Sequence, residues 1–301
     1  LTTLTSEDTS YTDFNIETGI LYFYKLSSYD LTGNESIYTN QIAIFPSSSR
    51  YSLLFSTLDD NYQFGTINIG NNILSDSIGI ELWVNTTSQN DPILYRKDGS
   101  TNTNPFWSLE VENERLAFHG LTNTGNSFSL ASETNVTDGG WVHCGLFVQS
   151  DSIRIFINGV QEASILKPSG ELSSKQRIWV GTKGSNISPD FNDQFDGRIY
   201  DLRFWDKIPD YSTLQKDRWV TVPSSKNSEI MALYEFSIGS GAVVYDKSGN
   251  ETEFTLNGTV EWIKDAPVSY PENLIAVGSR DKVSLHWSSS KGNTVNRYDI
   301  Y

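Results

Sequence analysis

Short runs of apolar residues recur along the whole chain, spaced by clusters of Gly, Asn, Asp and Ser. LYFYKLSSYD, IGIELWVN, FWSLEV, RLAFHG, SIRIFING, RIWVGT and RIYDLRFWD all read as strands rich in Val, Ile, Tyr, Phe and Trp. In SIRIFING the alternation of Ile153, Ile155 and Ile157 turns one β-branched face inward, and Asn158-Gly159 supplies a turn that tolerates positive φ. DYSTLQKDRW, Asp210 to Trp219, is the one stretch that predicts a helical turn or two. The pattern breaks into polar, proline-bearing sequence at PSSSR (Pro46 to Arg50) and at KDAPVSYPEN (Lys264 to Asn273). The chain therefore divides into segments 1–46, 47–265 and 266–301. Even spacing of short strands suits sandwiches and jelly rolls, in which two antiparallel sheets face each other.

Composition sharpens this reading. With 301 residues and 37% hydrophobic content, there is enough apolar material for a real core and more than one domain. The 8 Trp, 15 Tyr and 15 Phe favour strands over helices, so the expected class is all-β. A formal net charge of -15, from 37 acidic and 22 basic residues, repels a phosphate backbone or an anionic membrane and argues against nucleic acid as a partner. Surplus carboxylates keep a protein soluble, and they can also serve divalent cations. The single cysteine, Cys144 in HCGLFV, permits no internal disulfide and no multi-thiolate metal site, and reads as a small buried hydrophobe. No stretch approaches the roughly 20 apolar residues of a membrane span, so no membrane insertion is expected in this segment.

Each segment resembles a known module. In the first, Tyr22, Tyr24, Leu26, Ser28 and Asp30 alternate before a Gly33-Asn34-Glu35-Ser36 turn, which is similar to the last strands of a fibronectin type III domain. The tail, PENLIAVGSRDKVSLHWSSSKGNTVNRYDIY, is similar to the opening strands of another, with Trp287 as core tryptophan and RYDIY as third strand. A module's end at one side and a module's start at the other predict a tandem array cut at both ends. The central segment resembles the concanavalin A-like jelly roll of the laminin G and pentraxin sort. The resemblance rests on YSLLFSTLDDNYQFG, on IGIELWVN with its Trp two residues after a Glu, on WVHCGLFVQSDSIRIFINGVQ, and on FDGRIYDLRFWDKIPDYSTLQ. MALYEFSIGSGAVVYDKSGNETEFTLNG resembles the closing strands of such domains when they occur in series.

The resemblance raises three kinds of chemistry. The fold houses β-glucanases, whose two carboxylates sit at alternate positions of one strand. Glu110, Glu112 and Glu114 in LEVENERL come nearest, but Leu109, Val111, Leu116 and Phe118 read as the inward residues and Glu112-Asn113-Glu114 as a hairpin turn, and the glucanase E-x-D-x-x-E pattern is missing. His119, His143 and His286 lie far apart with no nucleophile motif nearby, and His143 fills a Trp-x-His position where a structural role is expected. No enzyme activity is expected.

Laminin G-like domains often hold Ca²⁺ through loop oxygens. The resemblance implies a structural Ca²⁺ site at Asp59 and Asp60, with Asp246 and Asn250 of the DKSGN loop, where the first and last strands would lie side by side. The competing reading is that Asp, Asn and Gly are ordinary turn formers. A pentraxin-type double site is disfavoured because Lys183 and Ser185 stand where acidic ligands are kept, although Asp98, Asp190 and Asp193 remain ligand candidates. Sugar rings stack on exposed aromatics rimmed by amide and carboxyl groups, and Phe106, Trp107, Trp179 and Phe191, with Trp219, lie in or beside polar loops. Core burial competes with this role at each of them.

The expectation is a non-catalytic carbohydrate- or protein-binding (adhesion) module of a secreted or cell-surface multidomain protein, with a glycan or extracellular protein as ligand and calcium as a structural ion. An accessory module of an extracellular polysaccharide-degrading enzyme and a ligand-free spacer are the alternatives.

Overall fold

The computed structural model describes residues 13, 16, 22–39, 42–44, 50–57, 62–69, 77–173, 177–185, 188–218, 229–267, 272–278 and 283–288. The strands run, in chain order, β1 (Tyr22–Tyr24), β2 (Ile42–Ile44), β3 (Ser52–Phe55), β4 (Phe64–Asn68), β5 (Ile78–Asn85), β6 (Asn90–Lys97), β7 (Phe106–Glu112) and β8 (Arg115–Leu121). They continue with β9 (Ser127–Asn135), β10 (Val142–Val148), β11 (Ser152–Ile157), β12 (Val160–Leu166), β13 (Ile178–Val180), β14 (Thr182–Gly184), β15 (Pro189–Gln194) and β16 (Gly197–Trp205). A 3-10 turn at Tyr211–Thr213 leads into α1 (Leu214–Asp217), and β17 (Ile230–Tyr234), β18 (Val243–Val244), β19 (Glu253–Asn257), β20 (Glu261–Ile263), β21 (Glu272–Gly278) and β22 (Val283–Ser288) follow.

Two eight-stranded antiparallel sheets make a sandwich. The first has the order β12-β11-β10-β5-β16-β3-β20 with β17 also on β16, and the second the order β18-β19-β4-β13-β6-β7-β8-β9. Both are built from the alternation legible in the sequence. Ile80, Leu82 and Val84 of β5 and Ile153, Ile155 and Ile157 of β11 face Leu109 and Val111 of β7 and Leu116 and Phe118 of β8 in one buried core. Each such side chain contributes about 1.5–3 kcal/mol by leaving water. The first and last strands of the sandwich lie side by side, β20 on β3 and β19 on β4.

Two-residue hairpins fix the register where it matters. Asn158 and Gly159 both adopt positive φ, 53° and 81°, and join β11 to β12. Asn113 and Glu114 do the same, at 50° and 69°, between β7 and β8. These are the values a type I′ turn requires to match the strand twist.

The outer face of the first sheet is covered. Phe147, Phe156, Trp205, Ile230 and Leu233 pack beneath Leu214 of α1, with Ile208 and Tyr211 beside them. His143, Glu81, Arg203 and Asp201 are buried in the same sheet. His143 Nε2 lies 3.1 Å from Glu81 Oε2, and the Arg203 guanidinium clasps the Asp201 carboxylate at 3.0 and 2.5 Å. Asp201 takes φ 51° at the register shift where β16 runs along β5. Burial, aided by the Arg203 charge, pushes the His143 pKa down. Burial opposes ionisation of Glu81 too, but His143 and the Arg203 charge outweigh it and hold that carboxyl below its ordinary range.

The flanking segments form two-stranded pairs, β1 with β2 and β21 with β22. After β1 the Asp30 carboxylate accepts bonds from Thr32 N, Thr32 Oγ1, Asn34 N and Asn34 Nδ2 at 2.8–2.9 Å, closing a turn bridged by Tyr29 and Glu35. Those bonds hold the Asp30 carboxyl below its usual range. RYDIY, the third strand expected of the tail, lies outside the described residues.

Candidate ligand-binding face

Among the described residues no helix packs on the outer face of the second sheet, and that face gathers the unusual side chains. Because alternate residues of a strand share a face, Ser108, Glu110 and Glu112 of β7 project together once Leu109 and Val111 enter the core. The tight Asn113-Glu114 turn sets Ser108 opposite His119 and Glu110 opposite Ala117. The small Ala117 leaves the imidazole free to lie along the strand. His119 Nε2 sits 3.3 Å from Glu110 Oε1 and 3.4 Å from Glu112 Oε2, and the three atoms all lie within 4.8 Å of one another. That nitrogen is shielded from solvent and makes no hydrogen bond of acceptable geometry.

The other Glu110 oxygen, Oε2, is held from behind. Ser108 Oγ donates to it at 2.9 Å and Lys183 Nζ lies 2.9 Å away, while the same ammonium pairs with Asp193 Oδ2 at 3.0 Å. Lys183 thereby ties the β14–β15 hairpin to the sheet. Burial works against its charge, but the bonds and charges of Glu110 and Asp193 prevail and raise its pKa. Beside it the Tyr95 hydroxyl is pushed up to about 12 by burial, with Glu110 and Asp190 adding to the shift.

An aromatic row runs from this hairpin to the sheet. Tyr62 and Phe191 stack with centroids 3.8 Å apart at 23°, and both stay open to solvent, at 50% and 42% of full exposure. Phe64 lies 6.4 Å from Phe191 and 5.7 Å from Trp179.

The four aromatic candidates separate by burial. Phe191 is exposed, and Phe106 is half-buried, stacked on Tyr95 at 6.1 Å. Trp107 and Trp179 are corrected: they are 0% and 2% exposed, so neither ring offers a face to a ligand. Their indole N–H groups donate inward, Trp107 to the Ser173 carbonyl at 3.1 Å and Trp179 to the Ser185 carbonyl at 2.9 Å. Trp219 lies outside the described residues. Tyr62, the partner of Phe191, carried no signal of its own in a polar loop.

Of the calcium candidates, Asp59 and Asp60 lie outside the described residues. The Asp246 carboxylate is buried and accepts five hydrogen bonds, from Leu233 N, Ser248 N, Ser248 Oγ, Thr252 N and Thr252 Oγ1, at 2.8–3.1 Å. Asn250 Nδ2 donates to the Ile230 and Met231 carbonyls at 3.2 and 3.0 Å. These bonds tie the DKSGN loop to β17. Asp98 accepts from Ser173 Oγ at 2.6 Å, and Asp190 caps its own turn through Asn192.

A sandwich of two antiparallel sheets, with one outer face roofed by a helical turn, defines an all-β jelly roll of the concanavalin A kind. The chain belongs to the concanavalin A-like lectin/glucanases superfamily: its Laminin_G_3 family model matches residues 59–210, just over half of the 301. Among solved structures, the chain is similar to a Bacteroides ovatus ATCC 8483 protein provisionally described as carbohydrate binding, with 14% identity, a TM-score of 0.54, and 83% of this chain and 71% of that one covered. It also matches mouse laminin alpha1 chain domains LG4-5 (13% identity, TM-score 0.38, 52% and 40% covered). A third is the CBM40 of the Ruminococcus gnavus IT-sialidase bound to alpha2,3 sialyllactose (13% identity, TM-score 0.44, 56% and 96% covered). At such identities the likeness is one of fold. No curated protein matches the chain.

Proposed function

We propose that this chain is a non-catalytic glycan-binding module of a secreted or surface-displayed protein, and that it holds its ligand on the outer face of the second sheet. The observation that carries the reading is the exposed, pre-stacked Tyr62–Phe191 pair beside a field of carboxylates and Lys183. Sugar rings bury their C–H faces on such platforms while neighbouring charged and amide groups take the hydroxyls. The fold shared with the Bacteroides ovatus protein supports it. Flanking segments 1–46 and 266–301 serve in this proposal as fibronectin type III spacers, supported by the Asp30-capped turn and the β21–β22 pair.

The non-catalytic part rests on His119. Glu110 and Glu112 oxygens approach within 4.8 Å, near the roughly 5 Å separation of retaining glycosidases. The imidazole nitrogen occupies the space between them, where a sugar's reacting carbon would have to lie. A structural calcium at the DKSGN loop belongs to the same proposal, and a cation there has to displace donors, because the Asp246 carboxylate already accepts five hydrogen bonds. The test is a glycan array probed with the chain in Ca²⁺ and again in EDTA. Binding in either condition upholds the module reading, with the EDTA arm deciding the role of the ion. A blank array in both contradicts it.

A further inference from the structure

We propose that Glu110, Glu112 and His119 form a site for a divalent transition metal of the zinc class on the outer face of the second sheet. A tetrahedral ion with bonds of about 2.0–2.2 Å separates its donor atoms by roughly 3.3–3.6 Å. His119 Nε2 stands 3.3 Å from Glu110 Oε1 and 3.4 Å from Glu112 Oε2, so two edges of the tetrahedron are already at length. The two carboxylate oxygens lie within 4.8 Å of each other, and Glu112, 46% exposed, is free to close the third edge.

The nitrogen is the independent pointer. His119 Nε2 is shielded from solvent, aimed between two carboxylate oxygens, and makes no hydrogen bond with either. A buried polar atom without a partner costs free energy unless something fills the gap. A metal ion accepts the lone pair of the neutral imidazole and both carboxylates at once. The charge agrees: Glu110, Glu112 and Asp193 against Lys183 leave two negative charges for a dication. Glu110 is oriented from behind by Ser108 Oγ and Lys183 Nζ on its other oxygen, the outer-shell support that metal-ligating carboxylates use. Ligand type selects the ion. One imidazole and two carboxylates at this spacing suit Zn²⁺, whereas Ca²⁺ asks for six to eight oxygens at about 2.3–2.6 Å. This site lies on β7 and β8 and shares no residue with the strand-end loop considered for calcium, and it stands whether or not the face binds glycan.

The experiment uses the whole chain, stripped with EDTA and dialysed, then titrated with ZnCl₂ by calorimetry, with the bound metal counted by elemental analysis. The expected result is one Zn²⁺ per chain, weakened at least about 100-fold by His119→Ala and by Glu112→Gln, and about 10–100-fold by Ser108→Ala. His286→Ala, at an exposed histidine of β22, leaves it unchanged. Co²⁺ in place of Zn²⁺ gives the intense visible bands of tetrahedral coordination, and these vanish in Glu112→Gln, whose half-exposed side chain can change without unfolding the sheet. No stoichiometric Zn²⁺ binding overturns the proposal, as does binding that survives both His119→Ala and Glu112→Gln.

Discussion

Asp201 holds Arg203 in a buried two-point clasp, and removing one partner of such a pair leaves a charge without compensation. Asp201→Ala is expected to lower stability by about 3–5 kcal/mol, read from urea denaturation, with little effect on ligand or metal at the opposite sheet. His143 and Glu81 give the fold a pH dependence of definite sign. The His143 pKa is lower folded than its ordinary 6.5, so as pH falls below that value the unfolded chain takes up a proton that the folded one refuses, and stability declines. Glu81, also lowered, adds a second loss that begins near its ordinary 4.5. Stability is therefore flat from pH 8 to 7 and declines on acidification, and His143→Gln flattens the upper part of the decline. Denaturation midpoints measured from pH 8 to 4 check both statements. At this scale the sequence was partly legible: the Trp-x-His position marked His143 as structural. The clasp was not, because Asp201 reaches Arg203 only through a register shift that period-2 alternation does not encode.

Elements follow the pattern closely wherever one face is buried. The β5, β7, β8 and β11 inward residues are those that alternation predicts, and DYSTLQKDRW yields the short helical turn expected of it. Asn158-Gly159 does more than join two strands. A Cβ on Gly159 would lie 2.7 Å from the backbone of Gln215, and Arg218 Nη1 donates to the Asn158 carbonyl at 2.6 Å, so the hairpin tip is a seat for α1. Gly159→Ala is expected to cost about 1–2 kcal/mol from its positive φ alone, with more from the displaced helical turn. The check is a lowered thermal midpoint with increased proteolysis near residue 215. Trp107 and Trp179 fail as platforms for different reasons. Trp107 shares the inward face of β7 with Leu109 and Val111, so the alternation of its own strand already puts it in the core, whereas Trp179 lies on the outward row with Tyr95 and is covered by the β14–β15 hairpin, a distant segment that alternation does not report.

For the whole molecule, composition and strand spacing pointed only to an all-β sandwich, the superfamily was legible through the resemblance of four stretches of the central segment, and the candidate face was legible only in pieces. Glu110, Glu112 and His119 were each visible, yet the constellation depends on the hairpin register, and Lys183 joins Glu110 from more than seventy residues downstream. The two outer faces of the sandwich differ: the first sheet's carries α1 and a buried ionic group, and the second sheet's carries the proposed ligand site. The proposed function stands or falls on binding at that outer face. The most direct measurement compares wild-type chain with a Tyr62→Ala, Phe191→Ala double variant by titration against whichever glycan an array identifies. Unchanged folding by circular dichroism and at least about a tenfold loss of affinity are expected from losing the stacking surface. Equal affinity in the two proteins would contradict the proposed function.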